Sequence, residues 1–231
     1  MIGKAPMVLV ISPPSDERNM ALHRVGTKST YPPLAPEERL ERSAAFSPGG
    51  RLLQVEYARE CPNSGSLALA FRFRGGVLLA KGRLTEPELG HRIPLIWRVT
   101  PATAYVANGN LGDMFHLRDV IAERKSKSIS TVGRTIRNTL HDHAVRTDVR
   151  PLALLVLLGS VEDGRSLVTG FDVTGSQFEC DAWAFGQGDM RARGRLRKAW
   201  RADLGLRDAR NLVTQIYGRQ SCEIAILRRR R

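Results

Sequence analysis

Phe46–Ala58 reads FSPGGRLLQVEYA. Ser47-Pro48-Gly49-Gly50 is a cluster of turn formers, and the LLQVEYARE of 52–60 that follows reads as a short helix. Cys61-Pro62 should cut that helix short, because proline cannot continue the hydrogen-bond ladder. Ser66–Arg74 (SLALAFRFR) then alternates toward its end as a strand does, Gly75-Gly76 makes a tight turn, and Val77–Ala80 (VLLA) returns. Apolar alternation on both sides of a glycine turn predicts a hairpin.

Working outward, Ile93–Val99 and Ala102–Val106 form a second strand pair bent at Thr100-Pro101. Leu111–Arg124 and Ile129–Ala144 read as helices. In the first, Leu111, Phe115, Val120 and Ile121 are expected to share a face. In the second, Ile129, Val132, Ile136 and Leu140 recur at helical spacing, with Ser130 and Thr131 as caps. Leu152–Leu158 (LALLVLL) is short, follows a proline and ends at Gly159, which suits a strand buried on both faces. After the Asp163-Gly164 turn, Ser166–Asp172 pairs back, and Phe178–Phe185 is a further strand. Gly188–Trp200 and Leu206–Tyr217 are helices, and Ser221–Leu227 (SCEIAIL) is the last strand before the basic end at 228–231. Strands, two helices, strands, two helices, strand: two sheets stacked face to face with helices outside each would bury every apolar face. The expected fold is α+β, a four-layer α/β/β/α sandwich with an N-terminal helix.

Residues 1–38 hold Pro6, Pro13, Pro14, Pro32, Pro33 and Pro36 without a sustained period. They are expected to be a disordered extension, with one domain over 39–231. A domain of this size buries roughly 70% of the surface of its unfolded chain and needs no staple. Cys61, Cys180 and Cys222 are odd in number, far apart and without a CxxC, which argues against a disulfide framework or a zinc site. The apolar run Met7–Ser12 is far shorter than the ~20 residues of a membrane span. The expectation is an intracellular protein, neither secreted nor membrane-bound.

The 13 consecutive positions of Phe46–Ala58 closely resemble the signature of proteasome alpha-type subunits, FSPxGRLxQVEYA, with departures at Gly49 and Leu53. Leu95–Gly109, Arg150-Pro151, Asp172–Gly175 and Asp181–Gly188 are similar to further family segments in the family's order. The resemblance implies the four-layer Ntn-hydrolase-like fold reached above and a seven-membered ring. Two such rings cap two inner rings of beta subunits, hold the barrel's end shut or open, and dock regulators. The leading helix is the part of the family pattern that beta subunits lack.

Catalytic beta subunits use an N-terminal threonine as nucleophile with its own amine as base. By resemblance that position falls at Ser66, inside the chain. The family's acidic position falls at Gly82 and its lysine at Leu95, so no catalytic residue is expected and the chain is not expected to be an enzyme. Of His91, His116, His141 and His143, the last two point to different sides of a helix and are expected to be solvated. No metal or cofactor is expected, and neither GxxxxGKS/T nor GxSxG occurs.

For gating, the resemblance implies that a neighbour's tail is received on Pro48 and Tyr57. The family's Tyr-Asp pair is replaced by Arg39-Leu40 or Leu40-Glu41, and Arg42 stands for the motif's arginine. For regulator docking, Gly65 matches the pocket glycine, while the pocket lysine is Leu95, so that docking should be weak or absent on this subunit's side. The 109–150 interval is shorter than usual, and the family's terminal helix is missing after the last strand. These divergences favour a hetero-oligomeric eukaryotic ring, in cytoplasm and nucleus and serving ubiquitin-dependent proteolysis, over a homo-heptamer. Expected partners are neighbouring alpha subunits, the beta ring and a regulatory particle.

The net charge is +13. The cations crowd the last helices, with Arg191, Arg193, Arg195, Arg197, Lys198, Arg201, Arg207 and Arg210. A solvated surface facing acidic neighbours is the first reading. The alternative is a repurposed alpha-like protein that binds nucleic acid or another acidic partner through this surface.

Overall fold

The computed structural model describes residues 9–11, 52–83, 94–146 and 149–228. In chain order these form β1 (Leu9–Ile11), α1 (Leu53–Ser64), β2 (Ala68–Phe73), β3 (Gly76–Gly82), β4 (Ile96–Thr100), β5 (Thr103–Gly109), α2 (Leu111–Ala122) and α3 (Ile129–Val145). They continue with β6 (Leu154–Glu162), β7 (Arg165–Phe171), β8 (Gln177–Cys180), β9 (Ala182–Phe185), α4 (Asp189–Ala199), α5 (Leu206–Tyr217) and β10 (Cys222–Arg228). The architecture is mixed α+β. One antiparallel sheet has the order β1-β10-β3-β2-β9 and the other β4-β5-β6-β7-β8.

Every residue of β3 is buried, because the strand has an apolar neighbour on each face. Val77 and Leu79 meet Ala104, Val106 and Leu157 of the other sheet. Leu78 and Ala80 face Leu196, Leu212 and Val213 of α4 and α5. The second sheet turns Tyr105, Leu154, Val156 and Leu158 toward Leu117, Ile136 and Leu140 of α2 and α3. Each such side chain, fully buried, contributes about 1.5–3 kcal/mol. The sheets approach each other at Gly159, where a Cβ would lie 2.8 Å from Val77 Cγ1 and 3.0 Å from Leu79 Cδ1.

Several expectations are corrected. Phe178–Phe185 is not one strand: it breaks at Asp181, and β8 joins β7 while β9 joins β2 in the other sheet. Pro62 does not stop α1, which runs on to Ser64. The proline sits in the last turn, where its missing N–H costs one hydrogen bond and its carbonyl still accepts from Gly65 N and Asn108 Nδ2. The cap of α3 is Ser128, which accepts from Thr131 N, and the Glu162 carboxylate accepts from Ile129 N. The buried face of α2 is Met114, Leu117 and Ile121, at i, i+3 and i+7, while Leu111 is exposed. His143 is half-buried, its ring edge-on to His116 at 5.5 Å. β1 lies within the segment expected to be a disordered extension, with Leu9 opposite Ile224; the rest of 1–38 lies outside the described residues.

Candidate functional site

Several buried polar residues, Ser66, Lys81 and Asn108 among them, lie where α1 leads into β2. Helix α1 buries Val55, Ala58 and Pro62, and the first two pack with Ala144, Ala153 and Val173. Its other side carries Arg59, which bonds Glu56 at 2.6 Å and Asp172 at 3.3 Å. Asp172 also organises its own turn, accepting from Thr174 N at 2.9 Å and Ser176 N at 3.0 Å. Two segments that looked unrelated in sequence, VEYA and DVTG, are therefore tied by one arginine.

After α1 the chain passes Gly65 and the buried Ser66. Asn108 reaches across from β5, its Nδ2 donating to Ser66 O at 2.7 Å and Pro62 O at 3.2 Å. Its Oδ1 is buried and accepts no hydrogen bond among the described residues. Gly186, at φ +94°, lies against the same place: a Cβ there would be 2.4 Å from Asn108 Nδ2 and 2.6 Å from Ser66 O. A left-handed residue pressed on backbone and a buried amide must be glycine. The Gly186-Gln187-Gly188 loop is thus a packing device, and Gln187 N donates to Gly65 O at 2.8 Å.

Lys81 is the buried cation of this region. Its period along β3 with Val77 and Leu79 points it between the sheets, where Nζ donates to Ala107 O. Burial pulls the amine down to about 8, opposed by the nearby Glu223. Glu223 is itself buried in β10, accepting from Arg83 Nη2 at 3.1 Å and from Leu95 N at 3.2 Å. Arg83 and Glu223 side chains are only 10% and 8% exposed. Such a pair is held by its mutual field and its hydrogen bonds, at a high desolvation cost. Sequence reasoning missed this cluster. The available signal was a charge inside each of two apolar strands, VLLAKG and CEIAIL.

The expected site residues are distributed as follows. Gly82 is buried at the end of β3, where a Cβ would lie 2.8 Å from Gln220 Nε2 and 3.2 Å from Tyr217 Cε1. Tyr217 donates to Leu67 O at 2.9 Å, and burial raises its pKa well above the usual value. Leu95 is half-buried and contributes its backbone N–H to Glu223. Gly65 lies against the Asn108 side chain, 3.0 Å from where its Cβ would be. Tyr57 is 48% exposed on α1. Arg42 and Pro48 lie outside the described residues. Among the described residues, no group of three or more metal-ligating side chains converges.

At the neighbouring end of β5, Asn110 caps α2 by accepting from Gly112 N at 2.9 Å. The buried Asp113 takes a two-pronged bond from Arg150 (2.6 and 2.8 Å) and accepts from Ala153 N at 2.9 Å. This fork geometry gives the Arg150-Pro151 pair its structural task of joining the start of α2 to the start of β6.

Comparison with known proteins agrees with this architecture. The family model for proteasome subunits matches residues 62–218. Proteasome subunit alpha 2 of Haloferax volcanii is 29% identical over 184 residues, covering 75% of this chain and 74% of its own. Proteasome subunit alpha of Methanoregula boonei is 30% identical over 175 residues, covering 71% and 73%. Proteasome subunit alpha 1 of Haloferax volcanii is 26% identical over 190 residues, covering 77% and 75%. With its two antiparallel sheets, its leading helix and these relatives, the chain belongs to the proteasome subunit family, on its alpha-type branch.

Proposed function

We propose that the chain is a non-catalytic subunit of the alpha ring of the proteasome core particle, built as a four-layer α/β/β/α sandwich over 39–231. It forms wall and gate, and its partners are neighbouring alpha subunits, the beta ring and a regulatory particle. The observation that carries this reading is the place of α1. The helix runs directly into Ser66, and Asn108 ties the helix end and the Ser66 carbonyl together. A nucleophile that needs its own free amine cannot operate at an internal residue. Gly82 has no side chain and Leu95 only an apolar one, so neither position supplies the acid or the lysine.

Tyr57, exposed on α1, and Pro48 receive a neighbour's tail, and Arg42 is the contribution of this chain's own tail to the gate. At the docking position, Leu95 brings no cation, while Lys81 bonds Ala107 O and Arg83 bonds Glu223. Regulator tails ending in a carboxylate should therefore gain little here. The named relatives are archaeal proteins, so the proposal is confined to ring and barrel inside the cell and leaves out nucleus and ubiquitin.

Native mass spectrometry of the tagged protein drawn from its own cells tests the reading. A particle of several hundred kilodaltons containing beta subunits is the expected result. A monomer or small complex free of beta subunits would sink it.

A further inference from the structure

We propose that the outer face of α4, together with the β8–β9 crossover beside it, is a docking surface for an acidic polypeptide segment that also carries apolar side chains. Helix α4 buries Ala192 and Leu196, Arg193 and Arg195 lie against Trp183 of β9 and Gln215 of α5, and Met190, Arg191, Gly194, Arg197 and Lys198 are exposed. The helix carries Arg191, Arg193, Arg195, Arg197 and Lys198 against a single acid, Asp189. Two of these cations are engaged: Arg193 with Asp189 and over the Trp183 ring at 4.8 Å, and Arg195 with Gln215 O. Arg191, Arg197 and Lys198 are exposed, and their side chains make no hydrogen bond or ion pair among the described residues.

Charge is half of the observation. Met190 is 80% exposed and Phe178 40%, two of the few large apolar side chains left in solvent. Phe178 meets Trp183 edge-on at 5.1 Å, and Trp183 meets Arg193, so the aromatic pair runs into the basic helix without a gap. Met190, Gly194 and Arg197 follow at i, i+4 and i+7, one stripe of the helix. Gly194 leaves a notch in that stripe, since a Cβ there would meet nothing within 4 Å. β8 and β9 are each the last strand of their sheet, which places this patch where two sheet edges come together.

The composition selects the occupant. Aromatic residues, methionine and arginine are what the cores of protein interfaces are enriched in, and a flexible thioether moulds itself to side chains of varied shape. Single-stranded nucleic acid gains from open aromatic faces on which bases stack, whereas Trp183 is already engaged by Phe178 and Arg193. Three free cations and no free acid on the helix ask for carboxylates, which also speed the encounter. The inference rests on this surface and not on ring membership, which native mass reads separately.

The test uses the full chain in the assembly in which it is purified, with three labelled probes of equal charge read by fluorescence anisotropy. The probes are a peptide alternating Glu with Leu and Phe, an all-Glu peptide and a single-stranded oligonucleotide. The alternating peptide should bind tightest, and Met190→Ser and Arg197→Glu should each weaken it by about tenfold. Both side chains are exposed, and an unchanged melting midpoint verifies the fold. Gly194→Leu, which fills the notch without removing a charge, should cause a similar loss. The proposal is overturned if the alternating peptide does not bind, or if the all-Glu peptide binds as well, which would leave charge alone. It is also overturned if the oligonucleotide binds more tightly, or if all three variants keep full affinity.

Discussion

The inter-sheet end around Lys81 and the outer face of α4 both carry cations, but the two regions treat them in opposite ways. Lys81 and Arg83 are enclosed, answered by Glu223 and by the Ala107 carbonyl. Arg191, Arg197 and Lys198 stand in solvent. In the first region each charge costs desolvation, which only fixed partners offset. In the second, water already satisfies the charge and the surplus remains for a partner. The cations of this basic chain, net charge +13, therefore fall into two sets, one enclosed and held by fixed partners, the other standing in solvent.

The sharpest way to break this contrast is Glu223→Ala. It removes the buried carboxylate that accepts from Arg83 Nη2 and the Leu95 N–H and faces Lys81, and should cost about 3–5 kcal/mol in urea unfolding. A loss below about 1 kcal/mol would mean that the cluster behaves like a surface ion pair. Lys81→Met comes next, with the opposite sign. Burial lowers the lysine from its ordinary 10.5 to about 8, so between those pH values the unfolded chain holds a proton that the folded one has lost. Stability contributed by this group therefore rises as pH climbs from about 8 to about 10.5 and is absent below. The variant should be more stable than the parent at pH 7 by about 1–3 kcal/mol, with the gap closing by pH ~10.5. Comparing the two proteins cancels the opposite trend from Cys180 and Cys222, which burial pushes up to about 11. A gap that does not change with pH would place Lys81 outside this account. On the exposed side the effects are small. Gly194→Ala should raise the melting midpoint, worth about 0.5–1 kcal/mol, because an interior helix glycine is replaced where space is open. A lowered midpoint would mean that the α4 face is covered in the protein as isolated.

Much of the candidate site was legible before any coordinates. Ser66, Gly82 and Leu95 follow from a register of motifs, and the motifs hold because VEYA, DVTG and AFGQG carry backbone and packing tasks that few residues can perform. Arg59–Asp172 and Gly186–Ser66 are two such tasks. The Lys81–Glu223 meeting was not legible, since it joins residues 142 positions apart through strand pairing, Lys81 opposite Glu223 in β3–β10. Nor was the bond between Asp113 and Arg150, which join the first turn of α2 to the segment before β6.

By itself the sequence determined what local periodicity and turn chemistry can carry: the hairpin of β2 and β3, the two helix pairs, the buried strand β6 and the family motif at α1. Tertiary structure decided the rest. It split Phe178–Phe185 between two sheets, because Asp181 turns the chain where one sheet ends and the other begins. It also divided the cations into enclosed and exposed sets. Periodicity reports which side of an element is apolar, whereas the partner of a charge and the cost of its burial depend on what the fold brings against it.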